Sequence, residues 1–411
     1  GLSVSASVPA ADVGDTVTIS VTEDTAPFLA WEGNVPAANK FDLSFTTTVT
    51  GPMTFTAKTP NKIYYVAPGG TGDGTSWADA FGTIHEAVAA AGSATDGALV
   101  CVKEGAFLQT NAVAATGVGP LMIRGGYAGD GFTAGDATVV GRQTKDAGGN
   151  LIQCPLFSFS GSTVALESLT ITNGFSRSST YGQAVSLLST CTASIKDCIF
   201  TENGPGGHDD AGYFGGAVGA QQGTLVIDNC TFARNKLDGY GGNNGNVCPR
   251  GGAVGAYRAA VTIRHSTFDR NWTRSVHARG YGGGAIGLKE CPVVVIDNCT
   301  FTTNFARTSD GASNYLPADQ WGHGPYGGTI YIADSPSAVI RDSTFLGGWS
   351  ASFGTGRLTW GWGGLMFFFN SNVALTRTTV YGAGESDFRE AVQRIHRSRS
   401  AASSITLIRL P

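Results

Sequence analysis

A few acidic and histidine side chains in the middle of the chain could be catalytic or metal-binding. Asp209 and Asp210 are adjacent and, together with Asp238, could supply oxygen ligands to Ca²⁺. These carboxylates lack the spacing of a calcium-binding loop, so a solvated acidic turn is the alternative. His277 and His323 are candidate general bases, and Asp210 is a third catalytic candidate. A purely structural role for either histidine is the alternative, and no cofactor apart from Ca²⁺ is expected.

A second group of side chains combines aromatic rings with charged groups, and its chemistry suits carbohydrates. The C–H faces of sugars pack on aromatic rings, and sugar hydroxyl groups bond to charged side chains. Packing of the same side chains on one another is the alternative. The candidate ligand-binding residues are Trp272, Arg274, Arg279, Tyr281, Asp319, Trp321, Tyr326 and Trp360.

These candidates lie between copies of a sequence repeat, which must position them. The repeat is 21 or 22 residues long and occurs six times, with inserts of 11, 15, 11, 22 and 14 residues between the copies. Rungs of constant length with inserts of variable length predict a solenoid whose inserts leave from one corner. The copies run 182–203, 215–235, 251–271, 283–304, 327–348 and 363–384.

The aligned copies share three apolar columns, which predict a common core. Apolar and polar residues alternate around these columns with a period of two, so each rung is predicted to consist of short strands. Such rungs stack roughly 4.8 Å apart in a parallel β-helix, which is the predicted fold. The columns are Val218, Val254, Ile286, Ile330 and Met366; Ile227, Ile263, Ile296, Ile340 and Leu375; and Phe200, Phe232, Phe268, Phe301 and Phe345.

Three polar columns support the same stacking. One alternates in charge from rung to rung, which avoids repulsion between neighbouring strands. A threonine column fits an exposed strand face, and an asparagine column is expected to form stacked, hydrogen-bonded amides at a corner. The columns are Lys196, Asp228, Arg264, Asp297 and Arg341; Thr231, Thr267, Thr300, Thr344 and Thr379; and Asn203, Asn235, Asn271 and Asn304.

Three of the copies carry a more specific pair of motifs. Each begins with Gly-Gly-Ala-Val or Gly-Gly-Ala-Ile, at Gly215, Gly251 and Gly283, and each ends with Phe-x-x-Asn. These motifs resemble the GGA(I/L/V) and FxxN repeats of the polymorphic outer membrane protein family. The resemblance covers about half of the chain. It implies a secreted right-handed β-helix that serves as a surface-displayed adhesive protein.

The composition agrees with an extracellular β-rich protein. The chain has 59 glycines, 14% charged residues and a formal net charge of −4, which gives no reason to expect a nucleic-acid partner. No apolar run is long enough for a membrane helix. An extracellular or bacterial cell-surface location is expected, and the start at Gly1 is consistent with removal of a signal peptide.

The eight cysteines are explained in part by the repeat. Cys198, Cys230 and Cys299 share a column with serine and threonine, which predicts a small, inward-facing corner position. Because Cys198 and Cys230 lie on adjacent rungs, a disulfide between them is geometrically allowed but not required. No cysteine or histidine spacing predicts a zinc site.

The segments outside the repeats are predicted to form a small module and two caps. Residues 1–60 alternate in the manner of strands, and Trp31 could fill the core of a small immunoglobulin-like β-sandwich. Residues 61–110 are the opening segment of the β-helix with a short capping helix, 111–384 the β-helix itself and 385–411 a C-terminal cap. The predicted fold class is therefore all-β: a right-handed parallel β-helix with an N-terminal β-sandwich and helical caps.

Three functions are compatible with these predictions. The first is adhesion or an extracellular structural role, in which corner inserts bind a polysaccharide or the glycans of a host or cell surface. The second is a polysaccharide lyase or glycoside hydrolase, which needs paired carboxylates or a base beside an acid-binding or calcium site. The third is a protomer of a self-associating extracellular fibre. Because no catalytic spacing emerges, binding without cleavage is the preferred prediction.

Overall fold

Short parallel strands stack into three long sheets and make this protein a parallel β-helix, as predicted. Each full rung gives one strand to each sheet, as in Val218–Gln221, Thr224–Asp228 and Thr231–Ala233. The structure is a computed structural model. It describes residues 1–92, 97–145, 148–149, 152–176, 180–204, 214–239, 250–275, 282–308, 326–352, 359–360, 365–381 and 405–407.

The strands of the three sheets follow one another along the chain in rung order. The first sheet contains Val113–Thr116, Phe157–Ser160, Val185–Leu188, Val218–Gln221, Val254–Tyr257, Ile286–Lys289, Ile330–Ala333 and Met366–Phe369. The second sheet contains Lys62–Val66, Ala98–Lys103, Leu121–Tyr127, Thr163–Glu167, Thr192–Lys196, Thr224–Asp228, Ala260–Arg264, Val294–Asp297, Ala338–Arg341 and Val373–Thr376. The third sheet contains Gly105–Gln109, Thr138–Arg142, Leu169–Thr172, Ile199–Thr201, Thr231–Ala233, Thr267–Asp269, Thr300–Thr302, Thr344–Leu346, Thr378–Tyr381 and Ile405–Leu407.

Sharp corners between the sheets depend on single residues in the left-handed region. In the rung that begins at Val218, the corner residues Gln222, Asn229 and Arg234 have φ values of 65°, 50° and 55°. One such residue redirects the chain between two strands that are in the β region. The next rung repeats the conformation at Arg258, His265 and Arg270.

The predicted phenylalanine column forms the centre of the core. The ring centroid of Phe232 lies 4.8 Å from those of Phe200 and Phe268, with interplanar angles of 5° and 3°. These rings have no solvent exposure. The column assignment made from the sequence is therefore confirmed.

The predicted asparagine ladder is also confirmed, and it is fully buried. The Asn271 side-chain amide donates hydrogen bonds to Asn304 Oδ1 at 3.0 Å and to the Phe232 carbonyl at 2.8 Å. Its own Oδ1 accepts from the backbone and side-chain nitrogens of Asn235, at 3.0 and 2.9 Å. Each amide thus satisfies polar groups of the neighbouring rungs at the corner after the third sheet.

The cysteine column faces inward, as predicted, and its thiols are reduced. Cys230 Sγ lies 3.2 Å from the Asp228 carbonyl, and Ser266 Oγ donates to the matching Arg264 carbonyl at 2.7 Å. Serine and cysteine therefore fill the same corner position, and each contacts the backbone carbonyl two residues before it. Every cysteine in the described residues is a free thiol, and Cys248 lies outside them.

The charged column runs along the outward face of the second sheet. Arg264 Nε lies 3.0 Å from Asp228 on the preceding strand, and Arg341 lies 2.6 Å from Asp297. Arg264 also donates from one nitrogen to both oxygens of Asp42, at 2.8 Å each. The column consequently sets strand register and also holds the N-terminal segment.

The N-terminal segment consists of antiparallel strands that pack against the second sheet. Leu29 and Phe41 are buried with Leu99, Met122 and Ala165, whose side chains point outward from the solenoid. The strands Leu2–Ala6, Thr16–Glu23 and Ser44–Thr48 form one sheet, Ala30–Gly33 pairs with Phe55–Lys58, and a 3₁₀ helix covers Ala37–Asn39. Trp31 lies fully buried in this segment, while its predicted immunoglobulin-like topology stays a prediction.

The two ends of the solenoid differ in how much is described. The helix Ile84–Ala91 begins at a capping box between Thr83 and Glu86 and buries Ile84 and Val88 against the first strands of the core. At the other end, Ile405–Leu407 adds a strand to the third sheet beside Thr378–Val380. The C-terminal helix predicted around residues 388–395 lies outside the described residues.

Candidate functional site

In the described residues the last four of the five inserts begin with strands, where the sequence analysis expected loops. After the asparagine corner the chain continues as a fourth parallel sheet, which is a correction to that expectation. The cause is register: Asn235, Asn271, Asn304 and Gly348 occupy equivalent corners of successive rungs. The four residues after each of these corners are therefore already one strand spacing apart. Its strands are Lys236–Gly239, Trp272–Ser275, Phe305–Thr308 and Trp349–Ser352, followed by the antiparallel Thr359–Trp360.

Alternation along these strands separates an inner from an outer face. The second residues, Leu237, Thr273 and Ala306, are buried at 2% exposure or less. The first and third residues therefore share the outward face. The sequence could have predicted these strands, because the segments that directly follow the asparagines align with one another. They are Lys-Leu-Asp-Gly, Trp-Thr-Arg-Ser and Phe-Ala-Arg-Thr.

The first residues form an aromatic ladder on that face. The ring centroids of Trp272 and Phe305 are 5.8 Å apart at an interplanar angle of 4°, and those of Phe305 and Trp349 are 4.7 Å apart at 6°. Trp349 is the most exposed of the three, at 39%. Phe305 was missed by the sequence analysis, and Trp349 was not among the candidate ligand-binding residues, which included Trp272 alone from this column.

Cationic side chains surround the ladder. Lys236 Nζ lies 5.4 Å from the centroid of the Trp272 ring, and the Arg307 guanidinium lies 5.0 Å from it. At these distances the ring quadrupole attracts the cation. Lys236 and Arg307 were also missed, since neither lies in a motif when a single rung is read alone.

The third residues form a charged column beside the rings. Arg274 Nε donates to Asp238 at 3.0 Å, and the side chain of Asp238 is only 5% exposed. Burial raises the pKa of Asp238, and the nearby Arg274, Lys236 and Arg307 charges partly oppose that shift. Within the described residues no carboxylate pairs with Arg307, whose Nε is buried without a hydrogen-bond partner.

This geometry changes the roles predicted for Trp272 and Asp238. The faces of the Trp272 ring are occupied by Phe305 and the neighbouring cations, so this ring offers its edge to solvent and not a free face for sugar stacking. Asp238 is paired with Arg274, and binding of Ca²⁺ at Asp238 would require that ion pair to break. The described part of the chain holds no cluster of three or more potential metal ligands.

Tyr326 lies where the chain returns from an insert to the first sheet. Its ring centroid is 4.6 Å from that of Phe367, which in turn is 5.9 Å from Tyr331. A similar set surrounds Phe214, which stacks on Tyr181 at 5.3 Å and lies 5.0 Å from the Arg250 guanidinium. Tyr326 thus belongs to a second aromatic group, with Phe367 and Tyr331.

The remaining predicted site residues are Trp360, at the end of the fourth sheet, and a group outside the described residues. The backbone of Trp360 pairs with Ala351 at the end of the fourth sheet. The candidates that lie outside the described residues are His277, His323, Asp209, Asp210, Arg279, Tyr281, Asp319 and Trp321.

The fold and the ladder-bearing sheet together define the class: a parallel β-helix protein with a repetitive cationic and aromatic surface beside its inserts. More particularly, the chain belongs to the family described as "Right handed beta helix region", which matches residues 149–399. No curated protein matches the chain.

Two solved structures to which the chain is similar are forms of the pectin methylesterase from Aspergillus niger. The deglycosylated form is 13% identical over 85% of this chain and 93% of that chain, with a TM-score of 0.37. The penultimately deglycosylated form is 14% identical over the same shares, with a TM-score of 0.35.

None of the helices in the described residues is long and apolar enough to cross a membrane.

Proposed function

We propose that this protein is an extracellular or cell-surface β-helix of the adhesive type, which binds an anionic polysaccharide along its fourth sheet without cleaving it. The resemblance of its repeats to those of the polymorphic outer membrane protein family supports an adhesive role. On the same proposal, residues 1–60 are an immunoglobulin-like module, and helices cover the two ends of the solenoid.

The observation that carries the proposal is the repetition of one surface along the solenoid axis. The first three steps of the fourth sheet present a lysine or a ring in one column, at Lys236, Trp272 and Phe305, and a charged residue in the next. A surface that repeats in one dimension is complementary to a ligand that repeats in one dimension. A polymer chain is such a ligand, whereas a small molecule would meet only one step.

The sign of the charge favours an anionic polymer. On this face Lys236, Arg274 and Arg307 are positive and Asp238 alone is negative, while the whole chain has a net charge of −4. Arg274 is already paired, so the Arg307 guanidinium is the cation best placed to donate to a carboxylate or sulfate group. Hydrogen bonds to charged groups contribute about 1.5–3 kcal/mol each.

A glycan array combined with assays for reducing ends and unsaturated products tests binding against cleavage. We expect retention on uronate-containing or sulfated glycans and no release of product. If sugar ends are released, and if His277→Ala, His323→Ala or Asp210→Asn stops the release, the protein is a polysaccharide lyase or glycoside hydrolase and the proposal is wrong.

A further inference from the structure

The cysteine column contains one pair of thiols that lie side by side on adjacent rungs. Cys198 and Cys230 directly precede Ile199 and Thr231, which are partners on neighbouring parallel strands. The Thr231 amide donates a hydrogen bond to the Cys198 carbonyl at 2.9 Å. The two Cα atoms are therefore about one strand spacing apart, roughly 4.8 Å, and a disulfide bond accepts roughly 4.4–6.8 Å.

The sulfur atoms occupy equivalent positions and can turn toward each other at little cost. Cys198 Sγ lies 3.2 Å from the Lys196 carbonyl oxygen, and Cys230 Sγ lies 3.2 Å from that of Asp228. Both carbonyl oxygens also accept a hydrogen bond from a backbone N–H group, so they stay paired when the thiols move. The two thiols are within hydrogen-bonding reach of each other.

Among the described residues, the other cysteines have no cysteine in the same position on a neighbouring strand. The backbone partners of Cys101 and Cys154 are aromatic residues or an arginine. Cys191 and Cys291 lie on rungs that are not neighbours, and serines occupy the positions on both sides of Cys299. The geometry therefore singles out one pair, where the sequence alone left a disulfide open.

We propose that Cys198 and Cys230 form a disulfide bond when the chain folds in an oxidising compartment, so that the free thiols are the reduced form of a link between two rungs. The oxidant is a low-molecular-weight or protein disulfide. The thiolate of one cysteine attacks that disulfide and releases one thiol, and the thiolate of the other cysteine then attacks the mixed disulfide and releases the second thiol. The two cysteines lose two electrons and two protons, and the oxidant is reduced to two thiols.

The exchange belongs to the folding chain and not to the completed solenoid. Cys198 and Cys230 are only 1% and 2% exposed in the folded protein. Burial, and then the neighbouring Cys230 thiol, raise the pKa of Cys198, and the thiolate is the form that reacts. Folded protein should therefore resist oxidation when reduced and resist reduction when oxidised. The inference goes beyond polysaccharide binding and shares with that proposal only the extracellular location.

The inference is tested by producing the full chain in the oxidising bacterial periplasm and in the reducing cytosol. Free thiols are blocked with iodoacetamide, and peptides are mapped by mass spectrometry. We expect a Cys198–Cys230 linked peptide in the periplasmic protein alone, with a melting temperature roughly 2–5 °C above that of the cytosolic protein.

Serine variants provide a matched control. Cys198→Ser should abolish the linked peptide and the rise in melting temperature, whereas Cys299→Ser should keep both. Both variants are expected to fold, because Ser266 and Ser343 already fill this position on other rungs.

The mapping of the wild-type protein decides the question even if a variant fails to fold. Alkylation of both Cys198 and Cys230 in the periplasmic protein would contradict the inference, and so would a bond from either one to a different cysteine. Equal melting temperatures of the linked and reduced proteins would show that the bond does not stabilise the two rungs, which also contradicts it.

Discussion

At the scale of single residues, the outward charges of the second sheet have more than one partner. Arg264 lies between Asp228 of the solenoid and Asp42 of the N-terminal segment, and only 23% of its side chain is exposed. The Asp42 side chain is 11% exposed. A partly buried ion pair is screened less by salt than a surface pair. When one partner is removed, the other charge stays partly buried without a counter-charge, which lowers the stability of the fold.

We predict that Arg264→Ala lowers the free energy of unfolding by about 1–3 kcal/mol, because Asp42 and Asp228 lose their shared cation. Arg377→Ala removes a cation that is 64% exposed and should have a clearly smaller effect, because solvent screens a surface ion pair. Thermal melts at low and high salt measure both changes. Equal effects of the two substitutions would show that Arg264 does not hold the N-terminal segment.

The buried thiols give a second prediction at this scale. Burial raises the pKa of Cys101, Cys291 and Cys299 to about 12. Their contribution to stability is complete below the unfolded-state thiol pKa and is lost as the pH rises toward the folded-state value, because the unfolded chain ionises first. We therefore expect stability to decline above about pH 9. Cys299→Ser should reduce this decline, as Ser343 fills the equivalent position.

At the scale of elements, the asparagine ladder supports the corner from which the inserts leave. The side chain of Asn271 makes four hydrogen bonds with neighbouring rungs. The third sheet ends and the fourth sheet begins beside it. A defect here should propagate to the aromatic ladder, because Trp272 follows directly. The corner is therefore a structural element of the candidate site.

We predict that Asn271→Ala costs about 4 kcal/mol, from about 1 kcal/mol for each of four bonds. Asn271→Asp keeps an acceptor oxygen but places a buried carboxylate against the Phe232 and Asn304 oxygens that the amide donates to, so it should cost more at neutral pH than the alanine change. Chemical denaturation followed by tryptophan fluorescence measures the loss. A cost near zero for Asn271→Ala would contradict the ladder.

The sequence predicts the rungs well because every copy repeats the same inward pattern. Phe268 and Ile263 are recognisable as core residues from five aligned copies, and Asn271 as a corner. The fourth sheet could not be predicted in this way, because sequence similarity between the copies ends at the asparagine. Only the alternation of buried and exposed residues continues beyond it. The packing of the N-terminal segment against the second sheet could not be predicted from the repeats either, since Asp42 and Arg264 are 222 positions apart and no repeat connects them.

At the scale of the whole molecule, the solenoid presents different surfaces on its different sides. The second sheet is covered at its beginning by the N-terminal segment, the third sheet presents threonines, and the fourth presents rings and cations. The inserts leave from the fourth sheet and return at the first. This division leaves the fourth sheet and its neighbouring inserts as the surface where charge and aromatic groups meet.

The most direct test of the account is a titration of the full chain with dextran sulfate and with uncharged dextran, at low and high salt. We predict binding to dextran sulfate alone, weaker binding at high salt, and at least about a tenfold loss for Arg307→Ala, with none for Arg341→Ala on the second sheet. Equal binding of the two polymers, or equal loss in the two variants, would contradict the assignment of the fourth sheet as an anionic-polysaccharide site.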